Sequence, residues 1–385
     1  MQVAALAAAL AAAPATPLGA QDRAESAAFV VRLGTDTLSV ERFRRSASRL
    51  EGELVTRSPR TSVRRYVADL GRDGAVMRLE VAILPPGAPA GAPPLQRTVA
   101  SFAGESIRVE VVGVSEQASA VAAPAGAALL LGGAFAPYEL VTMRWRRLRL
   151  DSAVVPAYVV GARAAQSVAL TRLGRDSALL ATQLVTFRVR LGRGGRIVGL
   201  HAPGSTQQIR LDRVRDLDAG ALAAAWGAND DRGLAMGMLS PRDTARAVIA
   251  GASLLVDYGR PRKRGRAIFG DVVPWHVVWR TGANAATQLR TDRDLAFGAV
   301  TVPAGTYSLW TLPAPSGWQL VINRQTGQWG TQYDAGRDLA RLPLSVDTLA
   351  APVEVFTIAI GPLGQGGVLS LAWDRTRTTI PFTVR

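Results

Sequence analysis

Polar side chains crowd a short glycine turn in the sequence Trp279-Arg-Thr-Gly-Ala-Asn284. Arg280 carries a guanidinium group that binds carboxylates and phosphates, and Asn284 and Thr287 add amide and hydroxyl hydrogen-bonding groups. His276 precedes Arg280 by four residues. These residue types at this spacing fit either a ligand-binding site or a tightly built turn.

A strand over this segment would decide which of these side chains act together. Side chains alternate between the two faces of a strand, so His276 and Arg280 would share a face, about 13 Å apart. A ligand of several atoms lying across that face would contact both of them. The basic segment just before the strand, which includes Arg266, favours an anionic ligand.

Two aromatic residues complete the predicted ligand-binding set. Tyr258 ends a predicted strand, and Trp329 lies in a glycine-rich loop where an exposed indole would stack on a sugar ring. We therefore predict that the protein binds a small molecule or a glycan of polar or anionic character.

The same turn also has a purely structural interpretation. In Thr281-Gly-Ala-Asn284, Gly and Asn suit the positive φ angles of a tight turn. Arg280 would then pair with Asp257, Glu354 or Asp374. Both interpretations remain open on the sequence.

The catalytic alternative is a hydrolase that acts on envelope or extracellular polymer, with His276 working beside one of those three carboxylates. The sequence contains no phosphate-binding loop, dinucleotide-binding fingerprint, metal-binding helix motif or nucleophile elbow. It has no cysteine and only two histidines, which excludes disulfides, thiolate metal sites and histidine-rich metal sites. We predict no cofactor, no metal site and no assigned catalytic residue, and non-catalytic binding as the leading function.

The formal net charge of +15 does not by itself indicate nucleic acid as a partner. Lys263 is the single lysine among 45 basic residues, a bias typical of overall composition rather than of a selected binding surface. Arginines alternate with apolar residues in Arg144-Trp-Arg146 and Arg188-Val-Arg190, which places them on the solvated faces of predicted strands. Nucleic acid is therefore not a predicted partner.

The length and the apolar content of the chain predict two domains with separate cores. Residues 1–20 form an apolar run that ends in small residues, as in a secretory signal peptide cleaved after Ala20. We expect a first β domain at 21–216, a linker with a short helix at 217–238 and a second β domain at 239–385. We predict export to the periplasm or the extracellular space without a transmembrane anchor.

Period-two hydrophobicity predicts an all-β, mainly antiparallel protein. The first domain is expected to be a meander that forms a curved sheet or half-barrel, and the second a β-sandwich or rolled barrel. Predicted strands include Leu140–Trp145 and Trp275–Trp279. The apolar segment Ala118–Pro137 is expected to be either a surface loop or a flap over a cavity, and the flap would make the first domain a carrier of an apolar ligand.

The second predicted domain carries a long series of landmarks in a fixed order. They are Ser240-Pro-Arg-Asp-Thr244, Tyr258-Gly-Arg-Pro261, Arg264-Gly-Arg266, Ile268-Phe-Gly270, Val273-Pro274, Trp279-Arg-Thr-Gly-Ala-Asn284, Ala286-Thr287, Pro303-Ala-Gly-Thr-Tyr-Ser-Leu309, Trp318, Asn323, Trp329-Gly330, Glu354 and Trp373-Asp374. On these residues it resembles a family of exported bacterial domains of unknown function. The resemblance implies export and a compact β domain and names no substrate. The first domain is weakly similar to curved-sheet proteins that carry lipids or lipoproteins through the periplasm.

Overall fold

A computed structural model describes residues 24–89, 91–113, 116–124, 126–202 and 208–385. Within them the chain forms two large sheets, with strands that are antiparallel almost throughout, and two α-helices, which confirms the all-β prediction. The predicted signal peptide, residues 1–20, lies outside the described residues. None of the helices in the described part of the chain has the length and apolar character needed to span a membrane.

The first sheet has fifteen strands. They are β1 (Glu25–Leu33), β2 (Asp36–Arg45), β3 (Arg49–Thr56), β4 (Ser62–Leu70), β5 (Val76–Leu84), β6 (Gln96–Ala103), β7 (Ser106–Gly113), β8 (Gln117–Ala122), β9 (Ala128–Leu130), β10 (Ser152–Val159), β11 (Gln166–Arg172), β12 (Ser177–Ala181), β13 (Thr186–Leu191), β14 (Ile197–His201) and β15 (Ile209–Val214). Nearly every strand pairs with its sequence neighbour, and β15 returns beside β1. The sheet is therefore the predicted meander.

Alternation of side chains explains why these segments form strands. In β13, Phe187, Val189 and Leu191 are buried while Arg188 and Arg190 are exposed. The glycine turn that follows, with Gly194 at φ 70°, joins β13 to β14 as an antiparallel pair. The predicted solvated position of Arg188 and Arg190 is confirmed here.

The prediction of a strand at Leu140–Trp145 is wrong, because this segment lies in helix α1 (Ala136–Arg147). Pro137 at the start suits the first turn of a helix, which needs no backbone donor there. Helical spacing brings Leu140, Val141 and Trp145 to one buried face. A window of six residues fits the helical and the strand period equally well, and here the segment folds as a helix. Arg144 and Arg146 therefore extend from α1 and not from a strand.

The two expectations for Ala118–Pro137 are also wrong in the described residues of that segment. Strand β8 is the exposed edge of the sheet, but Leu129, Leu130 and Leu131 are buried in the main core of the first domain. Strand β9 pairs in parallel with β10. The first part of the apolar run is thus an edge strand, and the part around Leu129–Leu131 is core sequence, so neither part is a flap or a surface loop.

A buried carboxylate ties α1 to the sheet. Glu139 is fully buried and accepts hydrogen bonds from Arg45 at 2.7 Å, from Arg213 at 2.5 Å and from the backbone N–H of Ile197 at 2.8 Å. Glu25 pairs with the same two arginines at the edge of this cluster. Because every charge in the cluster has an opposite partner, the arrangement avoids the cost of an isolated buried ion.

A second buried carboxylate caps α1. Glu41 accepts hydrogen bonds from the Tyr66 hydroxyl at 2.5 Å and from the backbone N–H groups of Phe135 and Ala136 at the helix start. Burial raises the pKa of Glu41 to about 7, and the hydrogen bonds from Tyr66 and the backbone oppose this rise. The Glu41 carboxyl group lies at the positive end of the helix dipole, which favours its ionised form and also opposes the rise.

Helix α2 (Ala219–Asp231) lies between the two sheets in sequence and packs on the first one. Asp218 caps it by accepting a hydrogen bond from the Ala221 N–H at 2.9 Å. Ala219 and Ala223 pack against Val40 and other residues of a small cluster on the sheet face opposite to the main core. The predicted linker segment is thus attached to the first domain.

The second sheet has nine strands. They are β16 (Arg242–Ile249), β17 (Ala252–Gly259), β18 (Thr287–Thr291), β19 (Leu295–Phe297), β20 (Val300–Val302), β21 (Gly305–Ala314), β22 (Gly317–Asn323), β23 (Asp338–Leu363) and β24 (Gly366–Val384). Their order is β16-β17-β18-β21-β22-β23-β24-β19-β20, and β16 also contacts β23 and β24. The sheet therefore curls back on itself around one core.

Tryptophans fill that core. The rings of Trp279 and Trp373 are stacked with centroids 5.9 Å apart, and Phe356 meets both of them edge-on. Trp318 is buried in the same cluster, so Trp318 and Trp373 are core residues, as their regular strands predict. Buried indoles supply much of the apolar area of this domain.

The two domains meet at the turn between β1 and β2. The Thr35 N–H donates to the Arg264 carbonyl at 3.0 Å, and the Arg264 guanidinium pairs with Asp36. Gly34 lies so close that a Cβ on it would be 1.9 Å from the Arg264 carbonyl oxygen. A glycine is required at this position for the domains to approach.

Candidate functional site

The candidate residues of the second domain lie on the irregular segment 260–286, which connects β17 to β18. The prediction of a strand at Trp275–Trp279 is wrong: His276 has φ 62°, and the described residues 275–279 make a single isolated bridge, between Trp279 and Thr311. A left-handed residue interrupts the alternation of faces. The argument that His276 and Arg280 share one strand face therefore fails.

The turn itself is held by buried hydrogen bonds. The Thr287 hydroxyl donates to the Thr281 carbonyl at 2.7 Å, and both residues are fully buried. The Trp279 indole N–H donates to the Gly282 carbonyl at 3.1 Å. Thr287 and Trp279 therefore build the turn, as in the structural interpretation, and Thr287 is not exposed to a ligand.

A second loop docks on the turn and completes the arrangement. Ala285 bridges to Trp329, and the Gly330 N–H donates to the Asn284 carbonyl at 3.0 Å. A Cβ on Gly330 would lie 1.8 Å from Cδ of Arg280. The structure thus brings Arg280, Asn284 and Trp329 together around a glycine that the packing requires.

We call Arg280, Asn284, Trp329 and Gly330 the Trp329 surface. The side chain of Trp329 is 53 % exposed, and Asn284 is exposed as well, with its amide 3.4 Å from the Ser240 carbonyl. Arg280 is partly buried, and this burial lowers the pKa of its guanidinium. An indole beside amide and guanidinium donors can stack on a sugar ring and hydrogen-bond at its edge.

The other three predicted residues occupy different environments. Tyr258 is a core residue whose hydroxyl accepts a hydrogen bond from the Ile358 N–H at 3.1 Å, and burial raises its pKa. Arg266 donates to the backbone carbonyls of Arg262 at 2.6 Å and Lys263 at 3.0 Å. His276 is exposed, and its backbone N–H donates to the Pro313 carbonyl at 2.8 Å.

The basic loop is largely committed to internal contacts. Arg260 pairs with Asp243 at 2.8 Å and Lys263 with Asp374 at 2.6 Å. Arg264 reaches Asp36 of the first domain, as described above. These cations hold the loop in place, which weakens the argument that the loop attracts an anionic ligand.

The three carboxylates of the catalytic alternative also have partners. Asp257 pairs with Arg242 at 2.6 Å, Asp374 with Lys263, and Glu354 accepts a hydrogen bond from the Arg264 N–H at 2.9 Å. Across the described residues, no group of three or more His, Cys, Asp or Glu side chains is arranged to hold a metal ion.

Sequence reasoning missed some neighbours of the Trp329 surface. Gln332 accepts a hydrogen bond from the Trp329 N–H at 3.2 Å, and Arg242 donates to the Ala285 carbonyl at 3.4 Å. Both come from segments distant in sequence from the turn. Ser240, Arg242 and Gly330 carried a signal, because they belong to the ordered landmarks, whereas Gln332 carried none.

Comparison with known proteins finds a match for the second domain to a family model without a known role. Residues 240–382 match the model of the family described as Protein of unknown function (DUF2911), in the region where the landmarks lie. No curated protein matches the chain. Among solved structures, the chain is similar to a β-barrel-like protein from Brucella abortus that contains a domain of unknown function (DUF1849). The two share 10% sequence identity with a TM-score of 0.34, and the match covers 51% of this chain and 97% of the other chain.

Proposed function

We propose that the chain is an exported, non-catalytic binding protein whose second domain recognises a polar or anionic envelope glycan at the Trp329 surface. The observation that carries this proposal is the exposed indole of Trp329 on a backbone that is docked on the turn of Asn284 and Ala285.

Rigidity supports binding at this surface. Trp329 is bridged to Ala285 through the backbone, and the next residue, Gly330, packs on Arg280. A backbone that is fixed before binding limits the conformational entropy lost when a ligand arrives. An indole with two χ angles thus offers a large stacking area at low entropic cost.

The proposal of an acidic substituent on the glycan rests on Arg280. A guanidinium forms paired hydrogen bonds with a carboxylate or a phosphate, and partial burial strengthens such contacts by lowering the local dielectric constant. The absence of catalysis is supported by the carboxylates Asp257, Glu354 and Asp374, each of which is already engaged by a basic side chain or a backbone N–H.

A glycan array tests the binding proposal. The full chain would be applied to an array that contains neutral and uronic-acid-bearing oligosaccharides of the bacterial envelope, and hits would be measured by calorimetry. We expect Trp329→Ala to weaken binding of any hit about two- to tenfold, since stacking of this kind is worth about 0.5–1.5 kcal/mol. Arg280→Gln should weaken acidic hits and spare neutral ones.

Val277→Ala is the matched control. Val277 is about half exposed, as Trp329 is, but it lies next to His276 on the irregular segment 260–286 and outside the Trp329 surface. It should bind as the wild type does. An array without hits, or hits that Trp329→Ala leaves unchanged, would refute the proposal. If His276→Ala abolished binding and Trp329→Ala did not, the ligand would bind near His276 and not at the Trp329 surface.

Export is tested separately. Expression of the full chain with a C-terminal tag in a Gram-negative host should release a periplasmic protein whose amino-terminal residue is Gln21, as the sequence around Ala20 predicts. Retention of an uncleaved protein in the cytoplasm would contradict this part of the proposal.

A further inference from the structure

The first domain contains a cleft of about 470 Å³ between the last turns of α2 and the loops that follow β3 and β5. This volume lies within the range of small-molecule sites. The cleft belongs to the other domain from the Trp329 surface, and its residues come from three segments far apart in the sequence.

Acidic groups concentrate where α2 ends. Asp230 and Asp231 are the last two residues of the helix, and its last turn contains no basic residue. Carboxylates at this end are disfavoured by the partial negative charge of the helix C-terminus. Arg60 pairs with Asp231 at 3.1 Å, and both side chains are well exposed at the rim. The cleft thus holds two carboxylates and one guanidinium, an excess of negative charge in a strongly basic protein.

The two groups deeper in the cleft are Asp230 and Thr61. Asp230 is 7 % exposed, and its carboxylate accepts a hydrogen bond from the Thr61 backbone N–H at 2.5 Å. Thr61 is 8 % exposed, and its hydroxyl oxygen has no hydrogen-bond partner among the described residues. A buried hydroxyl without a partner is costly, so a ligand that hydrogen-bonds to it is favoured, and the neighbouring carboxylate of Asp230 selects a ligand that donates.

The remaining walls are aliphatic and closely packed. Pro85 and Pro86 face Ala224 and Gly227, and a Cβ on Gly227 would be 2.6 Å from Cβ of Pro86. Prolines present no backbone N–H donor, and alanine and glycine side chains present no polar atom. This wall suits a hydrocarbon chain and offers nothing to an anion.

We propose that this cleft binds a primary ammonium group on a short aliphatic chain. The ammonium donates to the Asp230 carboxylate and to the Thr61 hydroxyl oxygen, and the aliphatic chain lies along the wall of proline and α2. The site is independent of the Trp329 surface and does not depend on the glycan proposal.

Isothermal titration calorimetry of the full chain with three matched probes tests this assignment. The probes are pentylammonium chloride, 1-pentanol and sodium pentanoate, which share the alkyl chain and differ in charge. Pentylammonium should bind at least tenfold more tightly than either of the others, because a charge-assisted hydrogen bond to a buried carboxylate is about twice as strong as a neutral one.

Two substitutions locate the bound ammonium. Asp230→Asn and Thr61→Val should each weaken pentylammonium binding at least fivefold. Thr61→Val removes a hydroxyl that has no partner among the described residues, so the protein should remain folded even where Asp230→Asn does not. Thr378→Val removes another buried, unpartnered hydroxyl, in the second domain, and should leave binding unchanged.

Three outcomes would overturn the proposal. They are no measurable binding of pentylammonium, equal binding of 1-pentanol, and unchanged binding in Thr61→Val. Competition by calcium chloride at equal concentration would indicate a site for an inorganic cation and would overturn it as well.

Discussion

Raising the pH from 5 to 8 is expected to weaken the first domain through one carboxyl group, Glu41. This residue is completely buried and caps α1. Burial raises its pKa in the folded protein to about 7 from an ordinary value of 4.5. Between these two values the folded protein keeps a proton that the unfolded chain has lost.

The direction and the size of the change in stability with pH follow from this difference in the pKa of Glu41. The stabilising contribution is fully present below pH 4.5 and is lost as the pH rises through 7, because the unfolded chain then binds fewer protons than the folded one. A difference of two and a half pKa values corresponds to about 3 kcal/mol, and most of the loss falls between pH 5 and pH 8.

Urea unfolding of the wild type and of Glu41→Gln at several pH values measures this contribution. Pulse-labelling hydrogen exchange of α1 reports the first domain separately from the second. The difference between the two proteins should shift by about 2–3 kcal/mol in favour of Glu41→Gln from pH 5 to pH 8, since an amide does not titrate. Subtraction removes the contribution of every group common to both proteins.

Glu80→Gln is the matched control. Its hydrogen bond with Arg97 is the main reason that the pKa of Glu80 is lowered to about 2, so its contribution is already complete near pH 6 and should stay constant above that. If Glu41→Gln and the wild type differ by the same amount at pH 5 and pH 8, the carboxyl is ionised throughout. The hydrogen bonds from the helix terminus would then outweigh burial, and the reasoning would be refuted.

Three further predictions concern stability and can be checked by chemical denaturation. Gly330→Ala should destabilise the second domain by about 2 kcal/mol, because the new Cβ overlaps Arg280 and must displace it. Thr287→Val should cost about 1–3 kcal/mol, since it leaves a buried carbonyl without its donor, whereas Thr378→Val removes an unpartnered hydroxyl and should be nearly neutral. Glu139→Leu should cost about 3 kcal/mol by leaving two arginines without their buried partner, and an unchanged urea midpoint would contradict this.

The alternation of apolar and polar residues predicted most strands, because a strand with one buried face has an apolar residue at every second position. It failed at Leu140–Trp145, where six residues satisfied the helical period equally well and where the burial of Trp145 against the sheet decided the outcome. It failed again at Trp275–Trp279, where His276 has a left-handed backbone and its N–H donates to the Pro313 carbonyl of a distant strand. Long-range contacts, rather than local preference, determined both segments.

The candidate site was also only partly predictable from the sequence. The sequence predicted that Arg280, Asn284 and Trp329 are candidates, but not that a second loop brings Trp329 onto the turn. It could not separate Thr287 and Tyr258, which are core residues, from the exposed members of the set. Residue type reveals what a side chain can bond, whereas its availability depends on burial, which only the fold supplies.

Net charge does not by itself predict what this protein would bind, because its arginines are used largely for internal contacts. Arg264 joins the domains, and Arg45 and Arg213 neutralise Glu139 inside the first core. The groups at each surface are therefore more informative than the net charge. The Trp329 surface offers hydrogen-bond donors suited to a sugar or an acid, whereas the cleft at Thr61 carries excess negative charge. A chain with a formal charge of +15 can thus present one surface for polar or acidic ligands and another for a cation. Titration of both surfaces in one sample should show independent binding, since no residue is shared between them.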